Sequence, residues 1–425
     1  MKVKYKTICH YIILYCMLIL CQSNLYEVYL KKNDAIIFGL LVVLVLITLR
    51  RSYKYTFYLL ALLLCSVFAV RLISGGLGIT TWFTWTNKIL IATVAVFYCQ
   101  DMFMERYCRI ISFLAAVNMI MYVLWWSVPG ILKTFLIQYN STFTYNVWSS
   151  ALQYNTYNYQ NYGLLFSSFC EITNAVVRNI GIYTEPGVYQ MVLNSAIFIL
   201  LYNLDGDRFS VSERKKMLAV NIIALITTFS VSGYFGCIII VGGLIFSKAD
   251  KRVKRNIGAA LLIFTLIVVI DTIKNGSESI FSKVILSKIL NSSGQFDINA
   301  GTGIYRTRTV VAAISAMFTH PFGMGAGELQ RIIANEGSGN VAGAVFTMGA
   351  MLGFFPFLLV LLWLFAPIVK SSLSNIEKLS IILLYFNTAI AQSSAFYPPL
   401  IVFSLYYSQK RIGSISAYER RYNGK

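Results

Sequence analysis

The chain has 425 residues, of which 57% are hydrophobic and 12% charged, and its mean hydropathy is +0.66. About a quarter of the residues of a soluble globular domain are charged, so that class is excluded. A net charge of +19 suggests a nucleic-acid partner, but its distribution excludes one: basic residues cluster at every second loop between apolar runs.

The clusters are Lys2, Lys4, Lys6; Arg50, Arg51, Lys54; Arg106, Arg109; Arg214, Lys215, Lys216; Lys248, Lys251, Arg252, Lys254, Arg255; and Lys410, Arg411, Arg420, Arg421. Positive loops stay in the cytoplasm, which orients the chain and puts both termini there. The expected fold class is an all-α polytopic membrane protein. It forms one integral domain over residues 1–425, with about twelve spans and two large outer loops, 127–186 and 273–339.

The opening stretch, MKVKYKTICHYIILYCMLILCQS, has the basic start and apolar run of a signal peptide. It lacks a small-residue cleavage site, and Leu20 before Cys21 is too large for a lipoprotein-type site, so it reads as an uncleaved first span, about 7–22. His10 falls inside it with no partner in sequence, as a packed residue would. Further spans are expected at about 34–49, 55–72, 87–99 and 107–126. Of eight cysteines, Cys9, Cys16, Cys65, Cys99 and Cys237 lie in spans and Cys108 at a cytoplasmic edge. Only Cys170 and Cys21 are left toward the outside, and no disulfide framework or metal spacing follows.

In the first outer loop, six tyrosines, five asparagines and one tryptophan interleave over residues 138–162. Aromatic faces with amide donors suit sugar rings, which makes Tyr157 and Tyr159 candidates for holding a glycan. The alternative is an interfacial aromatic belt. The loop ends in RNIGIYTEPGVYQ, Arg178 to Gln190, where a permanent cation and a carboxylate sit seven residues apart at a membrane boundary. Charges there are costly, so this motif is a candidate half-site.

The sixth span, about 187–203, leads to the cytoplasmic loop DGDRFSVSERKK. A helical pair follows, about 217–231 and 234–247, turning at Ser232–Gly233 in SVSGYFG, and then a ninth span at about 256–272. In the second outer loop, ESIFSKVILSKIL reads as an interfacial amphipathic helix. GIYRTRTVVAAISAMFTHPFGMGAGEL reads as a helix opening near Thr302 and stopping before Pro321. Gly323, Gly325 and Gly327 imitate a nucleotide fingerprint, but no strand precedes them and no helix clearly follows. Spans ten to twelve fall at about 341–366, 377–392 and 396–409.

The outer loops carry three notable cations, Arg178, Arg306 and Arg308. A guanidinium never deprotonates and forks onto phosphate oxygens, and Arg306 also falls near a helix start that favours anions. Headgroup contacts, or pairing with Glu171 and Glu185, are the alternative roles. Glu185 is either a general base or the partner that orients Arg178. His320 lies fourteen residues after Arg306, about 21 Å along a continuous helix, so one diphosphate cannot touch both; a helix end-cap competes with any catalytic role. No His, Asp or Glu cluster suggests a metal, and no cofactor is expected.

RNIGIYTEPGVYQ, TFSVSGYFG and GTGIYRTRTVVAAISAMFTHPFGMGAG, in this order and topology, resemble the bacterial O-antigen polymerase/ligase family over roughly residues 178–360. The resemblance implies an inner-membrane glycosyltransferase of the GT-C type, acting in lipopolysaccharide or other surface-polysaccharide synthesis. Such an enzyme moves a growing glycan from undecaprenyl diphosphate onto the non-reducing end of the next lipid-linked repeat unit, on the periplasmic face. It implies Arg178 and Arg306 as the family's two periplasmic arginines and Glu185 as its glutamate before Pro-Gly. Arg308, His320 and Tyr183 are further candidates around the substrate. The implied partners are the lipid-linked oligosaccharide, membrane lipids and a chain-length-regulating membrane protein. A ligase usually carries His-Asn after the glycine turn; ANEGSGNVAGAVFTMG has no histidine, which favours a polymerase. A flippase, the competing class, would hold its charges in a cavity between helices, and mid-span positions here are almost free of them.

Overall fold

The computed structural model describes residues 2–49, 79–128, 157–158, 170–172, 176–204, 206, 208–247, 303–335 and 343–422, with a few isolated positions in 255–275. The expected spans at about 55–72 and 256–272, the amphipathic ESIFSKVILSKIL, and most of the Tyr/Asn segment with Tyr159 lie outside these residues.

Helix dominates. In chain order the helices are α1 (Lys2–Leu20), α2 (Asp34–Leu49), α3 (Ile79–Cys99), α4 (Phe103–Ser127), α5 (Pro186–Tyr202), α6 (Val211–Thr227), α7 (Val231–Ser247), α8 (Gly303–Thr319), α9 (Gly325–Asn335), α10 (Ala344–Leu352), α11 (Phe354–Val369), α12 (Asn375–Ala391) and α13 (Pro398–Tyr422). The first outer loop adds something the hydropathy pattern did not reveal, a small antiparallel sheet. Its strands are β1 (Tyr157–Asn158), β2 (Cys170–Ile172) and β3 (Val176–Arg178), with Tyr157 opposite Ile172 and Cys170 opposite Arg178.

Local chemistry sets the helix ends. Ser210 caps α6 by accepting from Glu213 N. Ser374 and Glu377 form a reciprocal capping box on α12, satisfying two orphan donors at once. Pro186 opens α5, where its missing N–H is no loss, and left-handed Asn203 closes it.

The bundle is built around α5, in which every residue except Gly187 and Leu201 is buried. It packs against α4, α6, α7, α12 and α13. The approach of α7 depends on small residues at turn spacing. A Cβ on Gly233 would strike Gln190, one on Gly236 would strike Asn194, and one on Gly243 would strike Ser380 and Tyr202. Small-residue faces of this kind let helix backbones approach closely where water gives no hydrophobic drive.

The outward faces are apolar. On α2, Ile36, Leu40, Val43 and Ile47 are each more than half exposed, at helical spacing. Among the described residues, Thr81–Leu124 is the one stretch long and apolar enough to cross a membrane, and α1, α5, α7, α8 and α11 contain shorter apolar helices. That stretch is divided between α3 and α4, because Gln100 takes a left-handed φ of 50° and a short 3-10 turn follows.

Three sequence expectations are corrected. The turn between α6 and α7 is Thr228–Ser230, not Ser232–Gly233, because Phe229 adopts φ 47° and Ser232 and Gly233 already lie in α7. The stretch 341–366 is not one helix: Gly353, at φ 87°, breaks it into α10 and α11. A helix does follow the glycine turn, since GAGELQRIIAN places Ala326, Leu329 and Ile333 on one buried face of α9. The glycines serve packing: a Cβ on Gly353 would lie 2.4 Å from both Gly323 N and Pro321 O, and Met324 N donates to Ala350 O.

The later part of the second outer loop packs on the bundle. Gly343 at the start of α10 meets Val310, and Gly349 meets Met317, so α8 runs parallel to α10 along the bundle.

Candidate functional site

The RNIGIYTEPGVYQ segment connects β3 to α5, and its first two residues clamp the end of another helix. Arg178, only 8% exposed, donates through Nε to Thr228 O (3.0 Å) and through Nη2 to Phe229 O (2.8 Å). Asn179 donates from its backbone to Thr227 O (3.0 Å) and from Nδ2 to Thr227 Oγ1 (3.1 Å). The carbonyls at a helix C-terminus have no partner inside the helix and carry partial negative charge, so a guanidinium there is well placed. It also secures Phe229, whose left-handed backbone is costly for a non-glycine residue.

The chain then turns tightly. Left-handed Gly181 (φ 60°) lies under the Tyr189 ring, where a Cβ would come within 2.9 Å of a ring carbon. Ile182 to Thr184 pair with the segment after α1: Asn24 N donates to Ile182 O (3.0 Å), Asn24 Nδ2 to Tyr183 O (3.1 Å), and Thr184 N to Gln22 O (3.3 Å). Tyr183 is 1% exposed and its ring lies 5.8 Å from that of Tyr189. Burial holds its hydroxyl far above the usual tyrosine pKa, so it stays neutral. Its ring is a packing element and gives no open face to a glycan.

Glu185 is the N-cap residue of α5, half-buried and extended (φ −152°, ψ 154°), and its side chain makes no capping bond. Its charge bears on Tyr397, at the start of α13. The Tyr397 hydroxyl donates to Gln22 Oε1 and lies 3.3 Å from Ser393 Oγ. On the ring face of Tyr397 sits the ammonium of Lys88, 4.1 Å from the centroid. Lys88 is 4% exposed, and among the described residues its Nζ has neither a hydrogen-bond acceptor nor a carboxylate partner. Thr84, one turn before Lys88 on α3, and the adjacent Asn87 donate to Asp34, which also accepts from Tyr26.

Hydropathy missed Lys88. The predicted span began at residue 87, whereas α3 begins at Ile79 and carries Lys88 about 13 Å into the helix. The polar run TWFTWTNK diluted the window, but its Thr84 hydroxyl and Asn87 Nδ2 donate to Asp34 inside the bundle. Lys88 is an exception to the expectation that mid-span positions are almost free of ionisable residues.

Gly187 brings a further element in. A Cβ there would fall 2.1 Å from Gln392 Nε2. Gln392 is buried, closes α12, and accepts from Ala344 N at the start of α10 (3.0 Å). From this junction a polar seam descends α5: Gln190 Nε2 donates to Gly187 O (2.9 Å), and Asn194 Nδ2 donates to Gln190 Oε1 (2.9 Å) and Gly233 O (3.0 Å).

Arg306 is the fourth residue of α8, one turn before Val310; its side chain lies outside the described residues. Because Val310 meets Gly343, and Ala344 bonds Gln392 against Gly187, the first turns of α8 lie at the same end of the bundle as Glu185. Arg308 is exposed on α8. His320 follows the last residue of α8, at the far end of that helix. It is exposed, its backbone N–H closes the helix onto Ala316 O (2.9 Å), and its Nδ1 lies 2.9 Å from Thr319 Oγ1. Tyr157 is placed in β1, next to β2. Among the described residues no group of three His, Cys, Asp or Glu side chains could hold a metal.

One end of the bundle therefore gathers Arg178, Glu185, Lys88, Tyr397, Gln392 and the first turns of α8. Fixed cations, a half-buried carboxylate and buried amides gathered at one end can stabilise a developing anion and take a proton. No protein-family model, no curated protein and no solved structure matches this chain.

Proposed function

We propose that this chain is a polytopic membrane glycosyltransferase that polymerises a surface polysaccharide. It carries about twelve spans, with the Glu185 end facing the periplasm and both termini in the cytoplasm of a bacterial inner membrane. The growing glycan leaves undecaprenyl diphosphate and joins the non-reducing end of the next lipid-linked repeat unit. The observation that carries this reading is the convergence of the Arg178–Glu185 segment with the first turns of α8, which contain Arg306, through Gly187, Gln392 and Ala344.

In this mechanism the glycosidic C–O bond to the diphosphate breaks as the acceptor hydroxyl attacks the anomeric carbon. The departing diphosphate gains negative charge, which Arg178 and Arg306 offset. Arg178 suits this because its two carbonyl bonds fix the guanidinium plane before substrate arrives. Glu185 takes the acceptor proton. The Tyr/Asn segment holds the glycan. The apolar outward faces of α2 and the other outer helices support the membrane placement. The test is polymerisation by purified protein supplied with one defined lipid-linked repeat unit. Wild type should build ladders while Arg306→Ala, inserted normally, should not; wild-type ladder length in that variant would sink the reading.

A flippase for lipid-linked oligosaccharides is the second reading, favoured by one observation: Lys88 and Asp34 are ionisable groups buried among helices. A null strain separates the two. Single repeat units on the lipid core indicate a missing polymerase, and none indicates a missing flippase.

A further inference from the structure

We propose that the groove between α1 and α4, continued against α6, binds one anionic phospholipid at the basic end of the bundle. The site lies at the opposite end from Glu185 and does not depend on the glycan-transfer reading. It depends only on the chain being embedded in a membrane.

The groove has two parts that meet at Arg109 and Phe113. The longer recess, about 570 Å³, is walled by Ile8, Tyr11, Ile12, Tyr15, Ile110 and Leu114. The shorter, about 300 Å³, is lined by Ser112, Glu213, Lys216, Met217 and Val220. An apolar channel ending in a charged recess has the form of one acyl chain and its headgroup. Ile8, Ile12 and Phe113 are 55%, 56% and 57% exposed, so the apolar walls are open from the side and hydrocarbon can enter without displacing protein.

Charge selects the headgroup. Arg109 is held by Glu105 (3.0 Å) and Glu213 and lies over the Phe209 ring, so it is fixed in place. Lys216 is exposed and has no ion-pair partner among the described residues. Arg106 on α4, Arg214 and Lys215 on α6 and Arg208 just before α6 stand at the same end, so cations outnumber Asp101, Glu105 and Glu213. A zwitterionic headgroup gains little from such a surplus, whereas an anionic one gains at each nearby cation. Basic recesses between helices at a cytoplasmic membrane face favour anionic lipids for this reason. The bound lipid would bridge α1, α4 and α6, and α6 is the helix whose other end Arg178 clamps.

The experiment titrates the full-length protein, purified in non-ionic detergent, with phosphatidylglycerol or phosphatidylcholine of identical chains and counts bound lipids by native mass spectrometry. Wild type should retain one phosphatidylglycerol at least about tenfold more tightly than phosphatidylcholine, and Lys216→Gln should cut that preference about fivefold, the effect of one surface cation. Ile12→Trp, which fills the channel, should weaken both lipids. Equal binding of the two lipids by wild type, or an unchanged preference in Lys216→Gln, would overturn the proposal. So would a prenyl monophosphate that displaces phosphatidylglycerol at equal concentration, because the groove would then belong to the carrier lipid.

Discussion

Where α3 meets α4 and α6 begins, charge is exposed and meets charge. Arg109 bonds Glu105 and Glu213, with Arg109 and Glu213 each about a third exposed, and Arg208 stands nearby. At the Glu185 end the exposed Lys31–Glu27 pair is of the same kind, but the buried groups are handled differently. Arg178 is held by main-chain carbonyls, Lys88 by an aromatic face, and Asp34 by hydroxyls and an amide. Exposed pairs in high dielectric contribute little, and in the proposed membrane placement they serve mainly to orient the chain. Buried charges are costly, and they persist where they do chemistry or fix a backbone. Under the proposed function, the difference separates an end charged for topology from an end charged for chemistry.

The largest effect should come from the backbone scaffold that brings α8 and α10 to the second end. Gly353→Ala must place a Cβ 2.4 Å from two backbone atoms at a φ of 87°, and neither atom can rotate away. The expected loss is about 3–5 kcal/mol, from overpacking and left-handed strain together. Thermal unfolding in detergent measures it, and a shift of only a degree or two would mean that α10 and α11 do not depend on this break.

Arg178→Ala comes next. It removes two charge-assisted hydrogen bonds, worth about 3 kcal/mol together. Arg178→Lys keeps the charge and one donor, so it should recover about half the stability yet give no polymer ladder. If both variants, kept below their unfolding temperatures, give full-length ladders, Arg178 is only a clamp on α6 and the comparison loses its functional side.

How much of this was legible in the sequence depends on whether a signal is local. The ends of α2 and α5 were readable within a residue or so, because Asp34 and Pro186 mark boundaries in uninterrupted apolar runs. The start of α3 was not, because Thr84 and Asn87 look like loop residues until Asp34, on another helix, is known to accept from them. The same holds for function. Arg178 and Glu185 share a short motif and were named at once, whereas Lys88 gained meaning only from Tyr397, far along the chain. The glycine turn was visible, but its purpose was not, since Gly323 meets Gly353 only in three dimensions.

Lys88→Met sharpens the comparison most cleanly, because it separates stability from activity. The ammonium is buried with no acceptor among the described residues, so an apolar side chain of similar length should leave stability unchanged or raise it by about 1 kcal/mol. Polymerisation should nevertheless fall at least about tenfold, the rate equivalent of 1.4 kcal/mol. A stable variant with full activity would reduce Lys88 to a distant counter-charge for Glu27 and Asp34.

The smallest effect belongs to the other end. Glu213→Gln removes one partner of Arg109, but Glu105 remains at 3.0 Å and both groups of the lost pair are about a third exposed. Solvent screens such a pair, so the loss should stay below about 1 kcal/mol and ladder length should not change. The variant keeps the Ser210 cap, which accepts from the backbone N–H of residue 213 rather than from its carboxylate. A collapse of ladder length here would show that charge at the basic end reaches the glycan chemistry through α6, since Arg178 clamps the opposite terminus of that helix, and the two ends could no longer be treated as separate.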